Sequence, residues 1–142
     1  MGAVLGDTVV AQRRLSVSVP GVLTSLDAGD LHDTGVGGEP VEQVTRLARL
    51  AHGCGLDGVV CSPTDLEALA DALPHEFLRV TPGVRPPGKD EGDQKRVATP
   101  ARAIADGAHY LVIGRPITQA ADPAAALAGI EAQISAPLQA RA

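Results

Sequence analysis

The amino-acid sequence predicts an α/β fold in which parallel strands alternate with helices. Short apolar runs, mostly β-branched and bounded by turn residues, recur along the 142 residues, as in strands buried on both faces. Between them lie stretches with the helical spacing of apolar residues, several opened by a capping residue and a proline. Elements that alternate in this order form a parallel sheet with right-handed crossovers.

Four runs are predicted to be strands. In the first, residues 15–19, polar and apolar residues alternate before Pro20 and Gly21, and the strand resumes at residues 22–23. The other three are continuous apolar runs: GVVC at residues 58–61, FLRVT at residues 77–81 and YLVIG at residues 110–114. Their length and composition favour strands over helices.

Start signals mark the helices between these strands. A capping residue precedes a proline at Ser62-Pro63, Thr99-Pro100 and Asp122-Pro123. Another helix opens at Pro40 and is predicted to stop at Gly53, as the helix from Pro100 is at Gly107. The apolar face of the Pro40 helix consists of Val41, Val44, Leu47 and Ala51. A last amphipathic helix is predicted over residues 124–134.

The order βαβαβαβα amounts to four units, half of a TIM-type (β/α)8 barrel. The predicted half-barrel covers residues 15–135, between a poorly defined N-terminal segment, residues 1–14, and a frayed tail, residues 136–142. The alternative is a small open doubly wound sheet. Its NAD-binding version is disfavoured, because no strand is followed by the glycine fingerprint of dinucleotide-binding folds.

Composition and charge limit the partners and the compartment. The net charge of −5 argues against a nucleic-acid partner, which requires clustered basic charge. No apolar stretch is long enough to span a membrane, and the N-terminus lacks the features of a secretory signal. The two cysteines, Cys54 and Cys61, are expected to be free thiols in a reducing compartment. We therefore expect a cytoplasmic domain with no nucleic-acid or membrane partner.

Polar groups follow the strands where parallel α/β folds place their sites. Arg85 follows the third strand, Arg115 follows the fourth, and the loop between them contains Gln94-Lys95-Arg96. Arginine binds phosphate or carboxylate through its planar fork, so these groups predict an anion site. The alternatives are that Arg115 pairs with an acidic neighbour or a helix end and that the loop is only solvated.

The sequence shows no evident catalytic residues or metal ligands. Ser62 is better explained as a helix cap than as a nucleophile, since no histidine or acid is placed beside it in the sequence. The histidines lack metal-ligand spacing: His32, His52, His75 and His109. The sequence therefore predicts binding groups, no metal site, and no catalytic residue in this chain.

Several motifs together resemble the orotidine 5′-phosphate decarboxylase family. They occur in the family's order over nearly all of the chain from residue 15 onward: VLTS at residues 22–25, GLDGVVCS at 55–62, VTPGVRP at 80–86, GDQKR at 92–96 and VIGRPITQ at 112–119. The resemblance implies a (β/α)8 barrel, usually dimeric, that converts orotidine 5′-monophosphate (OMP) to UMP and carbon dioxide without a cofactor.

The resemblance also implies roles for particular residues. Gln94, Gly114 and Arg115 would hold the 5′-phosphate, Arg85 would line the same loop region, and Thr24 would contact the pyrimidine. The loop from residue 86 to residue 96 resembles the family's mobile loop, which closes over the phosphate. The implied ligands are OMP and UMP, and the implied partner is a second copy or a missing N-terminal half.

The family's reacting residues are missing. Its Asp-x-Lys-x-x-Asp array occurs nowhere in this sequence, and the only lysines, Lys89 and Lys95, lie in the loop. Three hypotheses follow. The chain is the C-terminal portion of a decarboxylase, through truncation, a misplaced start or a split gene; it is a non-catalytic remnant that binds a phosphate ligand or itself; or it is a different phosphate-binding barrel enzyme. The third is the weakest, because such enzymes also need groups from early strands.

Overall fold

A computed structural model describes residues 17–18, 22, 27–86 and 98–140 of the chain. Within these residues four strands form one parallel sheet in the order β1-β2-β3-β4. The strands are β1 (Val17–Ser18), β2 (Gly58–Val60), β3 (Leu78–Thr81) and β4 (Tyr110–Leu111). The parallel order predicted from the sequence is confirmed.

The strands are shorter than predicted, because regular pairing ends before the apolar runs do. Backbone hydrogen bonds nevertheless continue the ladder past the strand ends: Cys61 N donates to Val80 O at 3.1 Å, and Val112 N donates to Thr81 O at 2.9 Å. The segments thus remain extended, although they fall outside the assigned strands. Val22 is buried but belongs to no strand.

In the described part of the chain, six α-helices and one short 3-10 turn accompany the sheet. The helices are α1 (Ala28–Asp33), α2 (Pro40–Gly53), α3 (Leu66–Ala72), α4 (Pro100–Ala105), α5 (Arg115–Thr118) and α6 (Pro123–Ala140), and the turn Pro63–Asp65 leads into α3. Two of these were not predicted, α1 and α5. The last helix runs to Ala140, beyond residue 134 where the predicted pattern stopped.

Three helices end in the same glycine turn. After α2, Leu56 N donates to Ala51 O at 3.1 Å and Gly55 N to His52 O at 2.9 Å, the two bonds of a Schellman motif. Gly55 has a φ of 78°, so it occupies the left-handed position there. The helix therefore ends at Gly53, as predicted, but the glycine in the left-handed position after it is Gly55. Gly35 and Gly107 end α1 and α4 in the same way.

The helices cover one face of the sheet and form the core with it. Alternate residues of the strands, such as Val59 on β2 and Thr81 at the end of β3, are fully buried beneath helix residues. The core is built almost entirely from Val, Leu, Ile and Ala, including Val44, Ala48, Leu66, Leu69 and Ile104. The packing of the helices on this face of the sheet holds the strands in place, and with them the loops that follow the strands.

Candidate phosphate-binding site

The ends of β3 and β4 lie side by side. Because the strands are parallel neighbours, and Val112 N bonds Thr81 O at 2.9 Å, the segments after both strands leave the sheet at the same edge. Parallel α/β folds bind ligands at this edge. The residues predicted to bind an anion therefore follow two adjacent strands.

Gly114 and Arg115 form the start of α5. Gly114 is the N-cap, and its carbonyl accepts hydrogen bonds from Ile117 N at 2.9 Å and Thr118 N at 3.0 Å. Apart from Gly114 and its two chain neighbours, no protein atom lies within 4 Å of a Cβ placed on Gly114, so the space beside its backbone is open. Arg115 is the first residue of α5 and is exposed. An anion thus has room to approach the backbone of Gly114.

Arg85 lies at the other strand end, after β3. Its backbone N donates to Ala98 O at 2.9 Å, next to a parallel bridge between Val84 and Ala98. The guanidinium is half-buried, and its Nη1 donates to the carbonyl of Val84 at 3.1 Å. This bridge joins the two ends of the segment that contains the predicted loop, and Arg85 lies at its base.

The remaining predicted binding residues, Thr24 and Gln94, lie outside the described residues, as does most of the predicted loop. Their contacts with pyrimidine and phosphate stay predictions. The structure places the other three predicted residues, Arg85, Gly114 and Arg115, after the C-terminal ends of the neighbouring strands β3 and β4.

Ser62 is a helix cap, as expected. It is fully buried, and its Oγ accepts a hydrogen bond from Thr64 N at 3.3 Å. Asp65, also buried, returns the contact by accepting from Ser62 N at 3.1 Å, which completes a capping box. The role of Asp65 was missed, although the spacing Ser-x-x-Asp signals it. Both polar groups are thus satisfied locally.

Three of the histidines, His52, His75 and His109, have local ring contacts. His109 Nδ1 accepts from the backbone N of Arg79 at 3.2 Å, and its ring meets His75 edge-on with centroids 5.3 Å apart. His52 packs edge-on against Phe77. Within residues 27–86 and 98–135, no three His, Cys, Asp or Glu side chains are grouped so as to hold a metal ion. None of the helices in the described part of the chain has the length and apolar character to cross a membrane.

Comparison with known proteins gives one consistent result. The sequence profile of the "Orotidine 5'-phosphate decarboxylase / HUMPS family" matches residues 9–130. An orotidine 5′-phosphate decarboxylase of Halorhodospira halophila is 54% identical over 126 residues, covering 89% of this chain and 53% of that protein. One from an Enterobacter species is 55% identical over 113 residues, covering 80% of this chain and 46% of that protein.

A solved structure agrees. The crystal structure of orotidine 5′-phosphate decarboxylase from Lactobacillus acidophilus superposes with a TM-score of 0.67 at 35% identity, over 83% of this chain and 48% of that one. The prediction of a partial (β/α)8 barrel is confirmed, and the chain spans about half the length of the relatives it matches. By its sequence and its fold, this chain belongs to the orotidine 5′-phosphate decarboxylase family.

Proposed function

We propose that this chain is the phosphate-binding half of an orotidine 5′-phosphate decarboxylase. The whole enzyme would convert OMP to UMP and carbon dioxide in pyrimidine biosynthesis. One observation carries the proposal: Gly114 and Arg115 begin α5 at the open end of β4, with unoccupied space beside the glycine backbone. The family match supports OMP and UMP as the ligands.

The chemistry of the two residues suits a phosphate. Arginine presents parallel N–H donors that match two phosphate oxygens, and such charge-assisted bonds are about twice as strong as neutral ones. A glycine without a side chain lets the phosphate approach the backbone closely. Arg85 lies at the same edge of the sheet and would contribute once its guanidinium leaves the carbonyl of Val84.

Phosphate binding would serve a reaction that takes place elsewhere in the barrel. The phosphate is remote from the reacting carbon, so its binding energy can be used to stabilise the transition state. The acids and the lysine that the family uses are missing from this sequence. The first four strands of the barrel would have to supply them.

The absence of the Asp-x-Lys-x-x-Asp motif from this sequence also supports a second candidate function, a non-catalytic half-barrel that binds a phosphate ligand. This candidate shares the proposed site with the first and differs in having no reacting partner. The location in the cytoplasm, expected from the sequence, stays a prediction.

Arg115→Ala is expected to weaken UMP binding roughly ten- to a hundredfold, because a lost charge-assisted contact costs about 1.5–3 kcal/mol. Gly114→Ala should weaken it as well, since the new methyl would occupy the open space that the phosphate needs. Isothermal titration calorimetry with UMP measures both effects. Arg49→Ala, an exposed arginine on α2, is the matched control and should bind as wild type does. Equal affinities of wild type and Arg115→Ala, or no UMP binding by wild type at millimolar concentration, would contradict the proposal.

A further inference from the structure

The side chain of His109 pairs with the backbone of β3. Its Nδ1 accepts a hydrogen bond from the backbone N of Arg79 at 3.2 Å, and its own backbone N donates to the carbonyl O of Arg79 at 3.0 Å. His109 directly precedes β4, whose first residue, Tyr110, is the register partner of Val80. The two bonds, which we term the β3–β4 joint, therefore connect both polar backbone groups of Arg79 to the start of the neighbouring strand.

The backbone N–H of Arg79 is buried and needs this acceptor. Arg79 is almost completely buried, and a buried N–H without an acceptor is strongly unfavourable. A ring nitrogen of histidine accepts a hydrogen bond only while it has no proton, so the neutral ring with its proton on Nε2 is the form that fits. In the charged ring both nitrogens are donors, and the Nδ1–H would face the N–H of Arg79. The β3–β4 joint therefore requires a neutral His109.

Two cationic or titratable groups lie close to the His109 ring. The ring of His75, which follows α3, meets it edge-on with centroids 5.3 Å apart. The buried guanidinium of Arg79 donates from Nη1 to the carbonyl of Gly107 at 3.5 Å, two residues before His109. A proton on His109 would therefore add a second positive charge beside a buried one, and like charges in such surroundings repel each other.

The His109 ring also borders a crevice of about 730 Å³ between the helices. α6 contributes the apolar Ile134 to it, and the charged and titratable lining residues come from the other elements around the ring: Glu67 and Asp71 on α3, His75 after it, Arg79 on β3 and Asp106 after α4. The carboxylates favour a charged ring in the crevice, although Asp106 already binds Arg102 at 2.7 Å and Asp71 is exposed to solvent. None of them replaces the acceptor that the Arg79 N–H loses.

We propose that His109 is a proton-sensitive switch between β3 and β4. The neutral ring closes the β3–β4 joint, and proton uptake below about pH 6.5, where histidine ordinarily titrates, releases the ring from the Arg79 backbone into the crevice. The unfolded chain takes up this proton freely, whereas the folded chain must first lose the bond. The stability that the joint provides is therefore complete above about pH 6.5 and is lost as the pH falls. The joint lies at the N-terminal ends of β3 and β4, so the inference is independent of phosphate binding at their C-terminal ends.

Urea unfolding at pH 7.5 and pH 5 tests the role of the His109 proton. The unfolding equilibrium constant of the wild type should rise about tenfold more between these pH values than that of His109→Asn, because one proton taken up on unfolding changes it up to about tenfold per pH unit. Asparagine is the informative replacement, since its side-chain oxygen can accept from the Arg79 N–H at either pH. His75→Asn removes the other ring of the pair and is the matched control, so it should keep the wild-type pH dependence. Equal pH dependence in wild type and His109→Asn, or its loss in His75→Asn, would overturn the proposal.

NMR titration of the wild type tests the contact itself and depends on no variant. We expect the amide signal of Arg79 and the ring signals of His109 to move with one midpoint as the pH falls from 7.5 to 5. The amide of Cys61, which bonds the carbonyl of Val80 on the other side of β3, is the internal reference and should not follow that midpoint. In His109→Asn the Arg79 signal should stay in place. An Arg79 signal that does not follow the His109 ring, or that moves equally in the variant, would show that the ring is no such switch.

Discussion

The purified chain alone is expected to show no turnover of OMP above the uncatalysed rate. In the family that this sequence resembles, a lysine protonates the reacting carbon and acids act on the departing carboxylate. The sequence contains no Asp-x-Lys-x-x-Asp, and its two lysines, Lys89 and Lys95, belong to the predicted loop. Phosphate-binding groups hold the substrate but supply no proton, so the loss should extend over many orders of magnitude.

The measurement is the loss of OMP absorbance with protein purified from a host that lacks its own decarboxylase. The positive control is the same chain coexpressed with the part of the Halorhodospira halophila relative that it does not cover. We expect turnover from the pair and none from the chain. Turnover by the chain alone that survives replacement of both lysines by alanine would contradict the assignment.

The largest stability effect is expected from Arg79→Ala. Arg79 is only 2% exposed, and its guanidinium donates to the carbonyls of Leu69 at 3.3 Å, Pro74 at 3.5 Å and Gly107 at 3.5 Å. Burial lowers the pKa of Arg79 below its ordinary value. No carboxylate within the described residues pairs with it, and its Nε has no hydrogen-bond partner there.

Helix ends explain why this charge is tolerated. Leu69 is in the last turns of α3, Pro74 follows that helix, and Gly107 follows α4. The carbonyl end of a helix carries partial negative charge, which favours a cation nearby. Arg79 therefore ties β3 to the ends of two helices in place of an ion pair.

Arg79→Ala opens a cavity under the helices and removes a donor from all three carbonyls. The carbonyls of Leu69 and Pro74 keep a backbone donor, from Leu73 N and Phe77 N at 3.1 Å each. The cavity is the larger cost and the lost bonds add to it, so we expect a loss of about 3 kcal/mol in the free energy of unfolding. Urea unfolding followed by circular dichroism measures the loss. The control Arg49→Ala, on the exposed side of α2, should change stability by less than about 0.5 kcal/mol. If both variants unfold at the same urea concentration, Arg79 has no such role.

Local signals in the sequence were sufficient for much of the fold. A proline at the first helical position set the starts of α2, α4 and α6, and these starts are confirmed. The end of α2 at Gly53 is also confirmed. The left-handed glycine after it is Gly55, and only the hydrogen-bond register decides which of the two glycines takes that position. Local signals do not contain that register.

Contacts between residues distant in sequence could not be predicted. In the sequence Arg79 interrupts an apolar strand. It is buried because its guanidinium contacts two helix ends that are distant in sequence. The anion site was predicted at the strand ends, because parallel strands bring their C-terminal ends to one edge. Arg85, Gly114 and Arg115 do lie at that edge. Their contacts with a ligand cannot be predicted from the packing of the protein, because the ligand itself takes part in them.

The central claim, that this half-barrel holds the phosphate at the start of α5, is tested most directly by NMR titration of the amide signals. UMP and uridine differ only in the phosphate. We predict that UMP shifts the amide signals of Gly114 and Arg115, and that uridine at ten times the concentration leaves them unchanged. Equal shifts with both ligands, or UMP shifts confined to residues away from the ends of β3 and β4, would contradict the claim.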